Sequence, residues 1–136
     1  MADAIRLFLH AAAGFSAREA AMSLPQMDDQ SRRLLEGIRG ITPEELEWQP
    51  APGTNSIGML LAHLAIVEVV WTQIGIMATN KVDVQPVLGL GQDDDGMPIP
   101  PDGLAPAHLK GKPLPYYEDL LARARIYFKD AASKLV

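Results

Sequence analysis

The stretch TNSIGMLLAHLAIVEVVWTQIGIMATN, residues 54–80, decides the fold, because it is the one long run that is apolar on nearly every helical face. A helix that is hydrophobic all round is buried on all sides. Laid out at ~3.6 residues per turn, Leu60, Leu64, Val67, Trp71 and Ile74 make one stripe, and His63 lies at its edge between Val70 and Ile74. The spacing predicts a core helix over 56–79 with His63 pointing inward. Glu68 falls near Ile57 and Leu61 on the other edge, where a carboxylate is at least half buried and needs a partner. Upstream, Pro52 and Gly53 open a loop in which Asn55 or Ser56 serves as N-cap, accepting backbone N–H groups that have no partner inside the helix.

The rest of the chain reads as further helices around this one. Ser23, Pro25 and Gln26 resemble a helix start. They open a helix over 24–39 with Met27, Leu34, Leu35 and Ile38 on one face and Asp28, Asp29, Arg32, Arg33 and Glu36 on the other. Thr42-Pro43-Glu44-Glu45 is a capping box opening one or two turns that end near Trp48. The prolines at 50 and 52 then force an extended link. Residues 80–114 are too dense in proline and glycine for a long helix or a central strand. A loop of that length is a functional cover or a mobile excursion. Within it, Asp93, Asp94 and Asp95 lack the spacing of a calcium loop and read as a solvated acidic turn. A last helix over 115–135 puts Tyr117, Leu120, Leu121, Ala124, Phe128, Ala131 and Leu135 on one face. A short helix over residues 2–13 is also compatible with the sequence. The expected fold is all-α, an up-and-down helical bundle in a single domain over residues 1–136.

Composition narrows the function. With 136 residues, 48% of them hydrophobic, the chain can bury a core. A net charge of -5 with scattered Lys and Arg excludes a general nucleic-acid binder. The absence of cysteine removes disulfides, thiolate metal sites and a cysteine nucleophile, and suits the cytoplasm. His63, Glu68 and Gln73 interrupt the long apolar run, so no membrane span is expected.

The segment LLEGIRGITPEELEWQPAPGTNSIGMLLAHLAIVEVVW, residues 34–71, resembles the DinB/YfiT family of metal-binding four-helix bundles. The likeness lies in the Gly40-Ile41-Thr42-Pro43-Glu44-Glu45-Leu46 turn, the Pro52-to-Gly58 lead-in, and the helix carrying Leu61-Ala62-His63, Glu68 and Trp71. In that family one histidine from the second bundle helix joins an HxxxH pair on the fourth to hold a divalent metal. Some members resemble S-transferases or isomerases in which the metal activates a small thiol. Residue by residue, only His63 matches a ligand position. The other histidines are His10 and His108, and no HxxxH is present. The resemblance therefore implies a bundle lacking the C-terminal HxxxH helix.

Two functions follow. The first is a metal-dependent thiol S-transferase or hydrolase-like enzyme, with His63 on Zn, Ni or Fe and a low-molecular-weight thiol as cofactor. In that reading His10 or His108 can swing toward His63, but both read better as surface residues. Glu68 stands about 140° around the helix from His63, too far for direct contact, and reads better as a structural carboxylate that pairs with an arginine or caps the loop. Trp48 and Trp71 read as core and loop anchors rather than a substrate platform. The second is a non-catalytic helical scaffold that forms a homodimer through open apolar faces.

Overall fold

Every regular element is helical. The structure is a computed structural model describing residues 10–136, and no strand occurs among the described residues. In chain order come α1 (Arg18–Gly37), α2 (Pro43–Glu47), α3 (Ile57–Trp71), a π-helical turn (Thr72–Ile76), α4 (Gln85–Leu88), a 3-10 turn (Ala107–Leu109) and α5 (Leu114–Ser133). This is the expected all-α class. The helix expected over residues 2–13 lies largely outside the described residues. Two compact units emerge, residues 40–131 and, of the described chain ends, residues 10–39 with 132–136.

In the unit at the chain ends, α1 begins six residues before the expected Leu24. Ala17 is the N-cap, with no side-chain bond, and Pro25 lies inside the helix. A proline there removes the N–H that would bond the Ala21 carbonyl. That oxygen instead accepts the Ala12 N–H at 2.8 Å, so the carbonyl freed by Pro25 is satisfied from outside the helix. Asp29 is buried, and its carboxylate accepts bonds from Arg32 at 2.7 Å and Arg33 at 2.9 Å. The Arg32 hydrogen bond, with the charge of Arg33, holds the Asp29 pKa below the usual carboxylate range against the opposing effect of burial.

In the larger unit, α2 carries its capping box in full. The Thr42 hydroxyl accepts from Glu45 N–H at 3.1 Å, and Thr42 N–H donates to Glu45 at 3.2 Å. Ser56 caps α3 by accepting the Met59 N–H at 3.1 Å, and α3 runs to Trp71 before widening into the π-helical turn over Thr72–Ile76. The face that α3 buries is not the expected one. Gly58, Met59, Leu61, Ala62, Ala65, Ile66 and Val69 are buried, whereas Leu60, Leu64, Trp71 and Ile74 are 42–63% exposed. Periodicity could not choose between faces on a helix that is apolar all round. The small residues chose, because they let neighbours approach. A Cβ on Gly58 would collide with the Tyr117 hydroxyl and sit 3.1 Å from the Leu46 carbonyl oxygen. Trp48 and Trp71, expected as anchors, are 64% and 63% exposed.

Residues 57–76 are long and apolar enough to cross a membrane by length and composition, yet half of that window is buried inside the fold. Its polar members have protein partners. Glu68 accepts from Arg125 at 2.9 Å, with both side chains under one-fifth exposed, the first of the two structural roles open to it. These are the marks of a core helix.

The long connection after α3 is more ordered than a structureless cover. It contains α4 and the 3-10 turn, and it buries Val84, Leu88, Leu90 and Leu109. Two glutamines pin it by using the side-chain amide as a surrogate backbone. Gln73 donates to the Asp83 carbonyl at 2.7 Å and accepts the Asp83 N–H at 2.9 Å. Gln49 donates to the Thr54 and Gly103 carbonyls at 2.7 and 3.0 Å and accepts the Ala105 N–H at 2.9 Å.

Candidate functional site

α3 and the long connection meet at His63. Its side chain is 40% exposed, so it stands at the margin of the core rather than inside it. Its Nδ1 lies 2.7 Å from Oδ2 of Asp95, whose side chain is only 2% exposed. The other carboxylate oxygen accepts the Met97 N–H at 2.9 Å. Asp95 is thus no part of a solvated acidic turn. It is a buried carboxylate with both oxygens engaged, as burial of a charge demands. No buried side-chain nitrogen or oxygen among the described residues lacks a partner. Among the described residues His63 bonds through Nδ1 alone, which leaves Nε2 as the unengaged nitrogen of a 40% exposed side chain.

The turn that carries Asp95 is built locally. The Asp94 carboxylate accepts the Gly91 N–H at 2.6 Å, and the Asp94 carbonyl lies 2.6 Å from Nε2 of His108. Gly96 has φ +73°, and a Cβ there would strike the Pro106 ring and lie 3.2 Å from Met59 on α3. The missing side chain is what lets the turn press onto the helix. His108 therefore braces the neighbour of Asp95 and does not join His63 as a ligand. His10 is exposed.

These positions bear on metal binding. Among the described residues no three His, Asp or Glu side chains gather where a metal ion could sit. A catalytic divalent metal takes about three protein ligands, so one imidazole, even with a carboxylate behind it, supplies too few donors among the described residues to fit the group. Asp95 was missed by sequence reasoning, since it lies 32 residues from His63 within a run of three acids that gives no sign which one is buried.

The chain is a DinB-like helical protein, and the half-exposed His63 backed by the buried Asp95 is its candidate site. The chain belongs to the mycothiol S-transferase family, whose model matches residues 9–134. No curated protein and no solved structure matches it.

Proposed function

We propose that this protein joins an intact low-molecular-weight thiol, mycothiol by family, through its sulfur to an electrophilic small molecule, with His63 accepting the thiol proton. The observation that carries the reading is the unengaged Nε2 of a half-exposed imidazole whose Nδ1 is held by a buried carboxylate. A thiol is a weak nucleophile until deprotonated. His63 Nε2 takes the S–H proton, the thiolate forms the S–C bond, and the leaving group departs with its bonding electron pair. A positioned base of this kind contributes about 10²–10⁴-fold. A chain without cysteine, using a reduced thiol, suits the cytoplasm. Zn, Ni or Fe would find in His63 a single donor among the described residues, so no step is routed through a metal. The test is conjugation of mycothiol to 1-chloro-2,4-dinitrobenzene, followed by release of chloride and growth of the thioether. His63→Ala should lower the rate by about 10²-fold or more, and an unchanged rate would remove His63 from the chemistry.

A second reading, a homodimeric scaffold, is favoured by the outer face of α3. Ile57, Leu60, Leu64, Trp71 and Ile74 are each at least 38% exposed. With half-exposed Val67 between them, they repeat at alternating spacings of three and four, as the seam of a helix pair does. Side chains of this size offer roughly 500 Å² per copy, so two copies approach the ~1,000 Å² of a specific interface. The dimer and the transferase readings are compatible.

A further inference from the structure

We infer that Asp95 is the positioning residue of His63, fixing the imidazole as its Nδ1–H tautomer and so leaving Nε2 as the basic nitrogen. The inference rests on the thiol-transfer reading for its consequence in catalysis, but its structural content stands apart from it. A carboxylate only accepts hydrogen bonds. Its Oδ2 lies 2.7 Å from Nδ1, a distance at which two lone pairs would repel, so Nδ1 carries the proton. A neutral imidazole has one N–H, and its lone pair is then on Nε2. Asp95 cannot turn away to release the ring, because its other oxygen holds the Met97 N–H at 2.9 Å. Its turn is wedged by Gly96 against Pro106 and Met59.

The same rule assigns the opposite tautomer to His108. Its Nε2 lies 2.6 Å from the Asp94 carbonyl oxygen, which also only accepts, so the His108 proton is on Nε2. One short turn, through two adjacent residues, holds two histidines in opposite tautomers. His108 is thereby an internal reference for any measurement on His63.

Asp95→Asn makes the sharpest variant. The Met97 N–H needs an acceptor and claims the amide oxygen. The NH₂ group then faces Nδ1, which has to become the lone-pair nitrogen, and the His63 proton moves to Nε2. The shape is kept and the basic nitrogen is turned inward, where it meets no substrate.

The experiment is a long-range ¹H–¹⁵N correlation spectrum of the full chain labelled in histidine, with resonances assigned by His10→Gln, His63→Gln and His108→Gln. The wild-type spectrum should show His63 protonated on Nδ1 and His108 on Nε2. Asp95→Asn should move the His63 proton to Nε2, leave His108 unchanged as a sign that the fold persists, and lower mycothiol conjugation by about 10²–10⁴-fold in kcat with little change in KM. His63 protonated on Nε2 in the wild type would overturn the assignment without recourse to any variant, as would an unmoved tautomer in a folded Asp95→Asn protein. If the tautomer moves while wild type and His63→Ala conjugate mycothiol equally, the positioning stands and the thiol-transfer reading fails.

Discussion

At the scale of single residues, polar side chains that touch backbone do more of the positioning than their sequence context suggests. Gln49 and Gln73 each engage a loop through both ends of the amide, and Glu47 accepts the Gly111 N–H at 2.8 Å. Tyr117 is buried beside Gly58 and donates to the Leu109 carbonyl at 3.3 Å. Burial, helped by Tyr116 and Glu47, pushes its pKa from 10.0 up to about 12. Tyr116 is raised too, by burial and by the charge of Asp94. With its folded pKa raised, Tyr117 contributes stability that is whole below its ordinary pKa of 10.0 and is lost as pH climbs towards about 12. Over that window the unfolded chain deprotonates first, at up to ~1.4 kcal/mol per pH unit for one group. Urea melts should accordingly show midpoints falling through this range, and Tyr117→Phe should flatten the fall. A slope unaltered by Tyr117→Phe would assign alkaline unfolding to other groups. His63 could be singled out as a candidate because its family position is marked by neighbours in sequence. Asp95 could not, since its role comes from a contact closed by a 32-residue excursion.

At the scale of elements, composition and capping announced the helices, while their faces and ends depended on packing. The start of α2 was legible to the residue and the start of α3 to within one, with Ser56 one of its two candidate caps, because capping boxes and N-caps act over three positions. The start of α1 was not, because the signal at Ser23 and Pro25 is overridden by the upstream turn that supplies Ala12 to the Ala21 carbonyl. The inner face of α3 was misjudged because Leu, Ile and Val occur all round it, and the deciding contrast was between large residues and Gly58, Ala62 and Ala65. The two faces make opposite predictions. Ile66 is 2% exposed and Leu64 46%. Ile66→Ala should cost about 2–5 kcal/mol, the range for a buried large-to-small change. Leu64→Ala should cost well under that in dilute solution. Thermal melts of the two variants check this, and equal losses would return Leu64 to the core. Leu64→Glu carries the test of association, since a charge on the seam should lower the sedimenting mass from two copies to one. A wild-type chain that sediments as a monomer at micromolar concentration would remove the dimer.

At the scale of the whole molecule, the all-α class and the family were legible from one segment, because the Thr42 turn, the Gly58 lead-in and the His63 helix lie together in sequence. What a metal would do here is a question of donors gathered from distant segments, and it has a sharp answer. His63 gives Nδ1 to Asp95, His108 gives Nε2 to the Asp94 carbonyl, and the described residues gather no third donor about either. An imidazole binding a divalent ion alone is little better than free histidine. The 136-residue chain should therefore emerge from dialysis with far less than one equivalent of Zn, Ni or Fe by elemental analysis. His63→Ala should leave that content unchanged. The control lies in the second copy, since a seam on α3 would bring two His63 side chains to one interface. Near-stoichiometric metal lost with His63→Ala but kept in monomeric Leu64→Glu would mean that one chain completes its own site, with ligands this arrangement does not supply. Metal lost with both variants would mean that the ligands come from two chains, and proton transfer by a free His63 Nε2 would give way to metal activation of the thiol.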